Sequence, residues 1–307
     1  MTLLTSEARG VYVIAVTPFH PDGRIDFDSC DRMVDFYLGA GATGLTVLGM
    51  MGEAPKLTVE ESRDVVARIL ARVAGRVPVV VGVSAPGFAQ IETLTRQVMD
   101  QGAAGVMVAP PGGLKTDDQI YGYYVQIAEL LGDVPFVLQD FPLATGVQIA
   151  ASVIARIMND LPTCVCLKHE DWPGLEKISH LRTQGVLKKR TSILCGNGGL
   201  FLPEEMARGA DGAMTGFAYP EMMVSVVDLF AKGDMDRAQD LFDAYLPLAR
   251  FEQQPGMGLA IRKYALAQRG IIAHDALRRP GAALSAASRA EVDLLIARQE
   301  RRLAELA

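Results

Sequence analysis

The chain has 307 residues, of which 50% are hydrophobic and 21% charged, with a formal net charge of −6 at neutral pH. That composition buries a large core and excludes intrinsic disorder. Mild acidity leaves no electrostatic footprint for nucleic acid or an anionic membrane surface, and neither partner is expected.

The chain opens with Met1 to Gly10, which lacks the charged start and apolar core of a signal peptide. No apolar run reaches the length of a membrane span. A soluble cytoplasmic protein is therefore expected. Short apolar, β-branched runs then recur at nearly even spacing, at 11–16, 44–48, 77–83, 105–108, 134–138, 164–167, 192–194 and 212–214. Continuous apolarity over so few residues marks strands buried on both faces. Between them lie helical patterns. One, 28–38, follows the turn Pro21-Asp22-Gly23. Another opens on the capping box Thr58-Val59-Glu60-Glu61 and ends near Val73. Further patterns cover 117–131, 149–158 and 175–181. Eight strands alternating with helices predict a (β/α)₈ TIM barrel over 1–232. A doubly wound sheet would need a glycine fingerprint after the first strand, where the chain reads Thr17-Pro18-Phe19. Beyond the eighth strand, periodic apolar residues over 235–250, 258–269 and 288–303, punctuated by Pro247, Pro255 and Pro280, predict a C-terminal helical extension over 233–307.

Catalytic residues of such barrels lie at the C-terminal ends of the strands. Only one lysine, Lys168, ends an apolar strand, after Cys164-Val165-Cys166-Leu167. A free lysine titrates near ~10.4, so about one amine in a thousand is neutral at neutral pH. Burial that lowers this to roughly 7–8 makes the amine a Schiff-base nucleophile. Cys164 and Cys166, two apart, are expected on the same strand face as Lys168. With Cys30 and Cys195 they read as small core hydrophobes, because no partners stand at metal-ligand spacing. His20, His169, His180 and His274 are scattered, so no metal site is expected. Lys188-Lys189-Arg190 reads as a solvated helix end.

The ordered motifs Thr17-Pro18-Phe19, Gly49-x-x-Gly52-Glu53, Leu57-Thr58-x-Glu60-Glu61, Gly102-Ala103-x-Gly105, Pro142-x-x-Thr145-Gly146, Lys168, Gly209-Ala210-Asp211-Gly212 and Arg279-Pro280 run over nearly the whole chain. In these the chain resembles the dihydrodipicolinate synthase / N-acetylneuraminate lyase family. The resemblance implies a class I lyase that joins Lys168 to the carbonyl of a 2-oxo acid without a cofactor, assembled as a homo-oligomer, dimer or tetramer. It also implies that backbone N–H groups of the loop Gly49, Met50, Met51 and Gly52 hold the substrate carboxylate. Thr215 and Gly216, at the eighth strand end, complete the expected substrate-binding set.

The departures are informative. Met50 and Met51 replace the two hydroxyl residues usual in that loop, and Gln139-Asp140-Phe141-Pro142 replaces a Tyr-Asn-x-Pro whose tyrosine shuttles protons. Pro110-Pro111-Gly112 stands where synthases carry an interface tyrosine, and Ala144 falls where they carry an arginine for the second substrate. Strand parity turns Glu170 toward the cavity with Lys168, where it takes over proton transfer, while Gln139 orients a substrate hydroxyl or a water. The same parity sends His169 and Asp140 toward the helices. Glu53 reads as a structural partner of its loop, Gly196-Asn197-Gly198-Gly199 as a tight turn against the cavity, and Glu170-Asp171 also as a cap for a helix beginning near Pro173. The expected function is a Schiff-base lyase acting on a 2-oxo acid, as dehydratase or retro-aldolase of a 2-oxo-3-deoxy sugar acid. The alternatives are an aldolase like 4-hydroxy-tetrahydrodipicolinate synthase or N-acetylneuraminate lyase, and a 2-oxo-acid-binding relative without catalysis. Met50, Met51, Phe141 and Phe217, expected at the pocket mouth, pull toward a less polar substrate.

Overall fold

The computed structural model describes residues 2–171 and 174–306. Eight strands pair in parallel and in chain order, and β8 returns to β1, closing the barrel. They are β1 (Gly10–Ile14), β2 (Gly44–Val47), β3 (Val79–Gly82), β4 (Gly105–Val108), β5 (Phe136–Asp140), β6 (Cys164–His169), β7 (Ser192–Cys195) and β8 (Gly212–Thr215). Around them run α1 (Phe27–Gly39), α2 (Val59–Val73), α3 (Phe88–Gln101), α4 (Asp117–Leu131), the short α5 (Pro142–Thr145), α6 (Ala151–Asp160), α7 (Leu175–Arg182), α8 (Leu202–Ala207) and α9 (Pro220–Ala231). The extension consists of α10 (Met235–Glu252), α11 (Gly258–Gln268) and α12 (Ala286–Leu306). No helix is long and apolar enough among the described residues to cross a membrane.

The local signals act where the sequence places them. The Thr58 hydroxyl accepts from Glu61 N while the Glu61 carboxylate accepts from Thr58 N, so two N–H groups at the start of α2 find partners. Thr116 and Gln119 do the same for α4. Helices α3, α8 and α9 were not delimited by periodicity; two of them begin beside Pro203 and Pro220 within strand-to-helix turns. Pro247 lies inside α10 and does not end it. The start near Pro173 falls outside the described residues; α7 is described from Leu175.

Two apolar layers fill the molecule. The barrel interior holds Tyr12, Ile14, Val80, Met107, Val137, Cys166, Leu194 and Met214, with Leu4 and Ala8 of the N-terminal segment closing its lower end. A larger layer fills the space between strands and helices. The strand parity of β6 differs from expectation at one point. Cys164 pairs with Phe136 and Cys166 with the next residue, Val137, so Val165 is an extra residue forming a bulge. The bulge reverses the facing of everything before it. Cys164 joins the outer layer and only Cys166 points inward with Lys168. All four cysteines are unpaired and buried, and burial pushes the thiols of Cys30, Cys164 and Cys166 up to about 12, where they behave as small apolar side chains.

Glu205 of α8 is buried behind β7 against Cys195, and loss of solvent pushes its carboxyl up to about 7. The native state therefore holds a proton that the unfolded chain releases near its ordinary value of 4.5. The associated stability is present below that value and is lost as pH rises through about 7. Replacing Glu205 by Gln should remove this dependence. Denaturant unfolding from about pH 4.5 to about pH 8 should show the stability difference moving in favour of Glu205→Gln by roughly 3 kcal/mol.

Candidate active site

The expected catalytic groups converge where β5 and β6 end. Gln139 pairs in register with Lys168, and both side chains face the interior because Val137 and Cys166, two residues earlier, already do. The chain leaves β6 one residue beyond His169, and Glu170 is held there by its backbone. Its N–H donates to Asp140 O at 2.9 Å, and its carbonyl accepts from Asn197 Nδ2 at 3.0 Å. The Glu170 carboxylate bends back onto the lysine. Its Oε2 lies 2.9 Å from Lys168 Nζ and accepts from Gln139 Nε2 at 2.7 Å. Both charged residues are 5% exposed. One carboxylate oxygen thus carries the cation and the amide together, and Gln139 orients Glu170.

Gly196 makes this bend possible. A Cβ on it would stand 1.9 Å from Glu170 Cγ and 2.8 Å from Oε1. The turn Gly196-Asn197-Gly198-Gly199 is thus the crowded turn that its glycines suggest, and Gly198 adopts a positive φ of 65°.

A small cavity, open to solvent, lies beside Lys168, Glu170 and Gln139. Met50, Met51, Thr215 and Gly216 from the expected binding set line it, together with Phe141. Gly49 and Gly52 shape the loop instead: Gly52 N donates to Gly49 O, and Gly52 O accepts from the Thr17 hydroxyl at 2.6 Å. Phe217, expected at the mouth, is 1% exposed and packs away from it between Tyr219 and Tyr245. Its position one residue past Gly216 reverses its facing.

His169 and Asp140 face the helices. The His169 Nε2 meets Gly174 O at 2.9 Å, and Asp140 Oδ2 accepts from Lys177 Nζ at 2.7 Å. Glu53 is structural. Held at φ 55°, it places its carboxylate against Lys263 Nζ at 2.6 Å and Lys56 Nζ at 2.8 Å, and accepts from Arg278 N at 3.1 Å. Lys263 is a second wholly buried lysine, and burial lowers its pKa while Glu53 opposes the shift. It also donates to Thr17 O and Ala276 O, so its three N–H bonds are directed away from the cavity.

Two residues lining the cavity escaped the sequence reading, Gln253 and Arg262, both from the extension. The signal was present: Arg262 and Lys263 are adjacent cations inside an otherwise apolar helical stretch, a position where a charge is retained only with a partner. Arg262 is 1% exposed and forms an ion pair through Nε with Glu252 Oε1.

A parallel barrel with an inward lysine at the end of its sixth strand, paired with a carboxylate beside an open cavity, is the framework of a class I lyase. The chain belongs to the dihydrodipicolinate synthetase family, whose family model matches residues 7–299. Among curated relatives, L-2-keto-3-deoxyarabonate dehydratase of Azospirillum brasilense is 31% identical over 96% of this chain and 95% of its own length. A 4-hydroxy-tetrahydrodipicolinate synthase of Chlorobium luteolum is 30% identical over 94% of this chain and 96% of its own. Among solved structures, a dihydrodipicolinate synthase from Rhodopseudomonas palustris superposes with a TM-score of 0.94 at 54% identity, over 97% of this chain and all of that one.

If Glu170 must bend over Gly196 to reach Lys168, Gly196→Ala should displace the carboxylate. Expected is a fall in turnover of roughly 10²-fold, the low end for a mispositioned acid–base group, with borohydride trapping of pyruvate on Lys168 retained. Steady-state kinetics and intact-protein mass measure the two.

Proposed function

We propose that this protein dehydrates a 2-oxo-3-deoxy sugar acid through a Schiff base on Lys168, with Glu170 as its acid–base group. The observation that carries this is the 2.9 Å contact of Lys168 Nζ with Glu170 Oε2 on the wall of the cavity. The amine must lose a proton before it can attack, and the carboxylate that receives it is already in place. The backbone N–H groups of Met50 and Met51 take the substrate's C1 carboxylate.

The steps then balance. Lys168 Nζ gives a proton to Glu170 and adds to the C2 carbonyl. Glu170 returns the proton to the carbinolamine oxygen, which leaves as water, and an iminium remains. The iminium acidifies C3, whose proton passes to the Glu170 carboxylate. The resulting enamine expels the C4 hydroxyl, which takes that proton and departs as a second water. A C5 proton of the unsaturated iminium then passes to Glu170 and returns at C3, which leaves a C4–C5 enol that ketonises to the C5 aldehyde. Hydrolysis of the iminium consumes one water and frees Lys168. No tyrosine lines the cavity among the described residues, so Glu170 is the group available for each transfer. Gln139 keeps it aimed.

The dehydratase relative supports this reading, and Ala144 on α5, where synthases carry an arginine, weighs against the synthase reading. Retro-aldol cleavage would start from the same iminium and is distinguished by its product. The family resemblance supports a homodimer or homotetramer, which light scattering on the eluted protein would measure. Four unpaired cysteines fit a cytoplasmic location.

Incubation with a panel of 2-oxo-3-deoxy acids should yield a semialdehyde; release of pyruvate would mean an aldolase. Borohydride with pyruvate should leave a stable adduct on Lys168 and none in Lys168→Ala. Glu170→Gln should retain the cavity yet lower turnover by about 10²–10⁴-fold; unchanged turnover would remove Glu170 from the mechanism.

A further inference from the structure

Beside the ends of β7 and β8 the cavity wall carries two nitrogen donors with nothing among the described residues to donate to. Arg262 Nη1 and Gln253 Nε2 are both buried and without a hydrogen-bond partner among the described residues, and both side chains line the cavity. Each lies over a glycine at a strand end. A Cβ on Gly216 would stand 2.2 Å from Arg262 Nη1, and one on Gly198 would stand 2.1 Å from Gln253 Nε2. Buried donors are almost always satisfied, and two orphans converging on one cavity mark the place of an acceptor that arrives with the ligand.

The charges restrict what that acceptor is. Arg262 is already matched by Glu252, whose other oxygen accepts from Ala218 N at 3.1 Å. Lys168 is matched by Glu170. The cavity wall therefore offers two neutral pairs, and the C1 carboxylate of a 2-oxo acid brings it to one net negative charge. That charge does not change when the ammonium and ketone become an iminium and water. A second carboxylate would double it where no further cation stands among the described residues lining the cavity, which is unfavourable. A neutral oxygen satisfies both donors without that penalty.

Resting on the Schiff-base reading above, we infer that Arg262 and Gln253 form a specificity site for the hydroxyl-bearing end of the substrate, remote from the ketone. The polar half of the sugar acid is then read by the C-terminal extension, while Met50, Met51 and Phe141 form an apolar rim. This placement reconciles an apolar mouth with a polyhydroxy substrate.

The test is borohydride trapping on the full chain with pyruvate, a 2-oxo-3-deoxypentonate and 2-oxoglutarate, read by mass as the concentration giving half-maximal adduct. In Gln253→Met the ratio of the pentonate value to the pyruvate value should rise about 3- to 10-fold, the loss of one neutral hydrogen bond. Arg262→Lys keeps a cation for Glu252 but withdraws the second nitrogen, and should move the ratio in the same direction. An unchanged ratio in both folded variants overturns the inference and leaves the Schiff-base reading standing. A rise seen only with 2-oxoglutarate overturns it as well, because the site would then read a carboxylate. Absence of any adduct in the unaltered protein removes the Schiff-base reading itself, and this inference with it.

Discussion

Glu170 Oε2, shared between Lys168 Nζ and Gln139 Nε2, is the contact on which the rest of the site depends. A buried ion pair loses two hydration shells and is retained only where geometry and further hydrogen bonds offset that loss. Here the supporting structure is visible on every side. The amide of Gln139 fixes the shared oxygen, Asp140 O and Asn197 Nδ2 fix the Glu170 backbone, and Gly196 yields the space that the carboxylate needs. The pair is tight, but it is not sealed, since the cavity reaches both members. In the proposed mechanism a proton passed across this contact frees the amine when a ketone stands beside it.

Among the described residues three ion pairs with both members buried lie around the barrel mouth, and two of them are made by one helix. Successive residues of α11, Arg262 and Lys263, face in different directions. Lys263 reaches the second-strand loop through Glu53 and the first through Thr17 O, which ties the two loops together. Arg262 reaches Glu252 and lies over Gly216 at the eighth strand end. The extension is therefore part of the wall of the site as well as a cover for the barrel. Its buried charges come as matched pairs, so the extension adds no net charge to that wall.

The loss of the family's hydroxyl and tyrosine side chains has a coherent physical outcome. Removing a tyrosine at the end of the fifth strand leaves a position beside the lysine, and Gln139 occupies it with an amide that can orient a carboxylate but cannot carry a proton. In the proposed mechanism proton transfer then falls to the group that Gln139 orients. In the same mechanism the methionines of the second-strand loop leave carboxylate recognition to the backbone, whose N–H groups do not depend on side-chain identity.

Much of this was determined by the sequence alone. Evenly spaced apolar runs define a closed parallel barrel because strands buried on both faces have no polar side to expose, and Lys168, Glu170 and Gln139 follow from counting by two from a strand end. Parity succeeded for these three because no irregularity separates them. It failed for Cys164, where the bulge at Val165 inserts one residue, and for Phe217, one residue beyond Gly216. Only the tertiary structure could bring in Arg262 and Gln253. They come from helices distant in the chain, and no local periodicity specifies which strand end a remote helix will cover. That was decided by the packing of α10 and α11 over the barrel and by the need of each buried cation for a carboxylate.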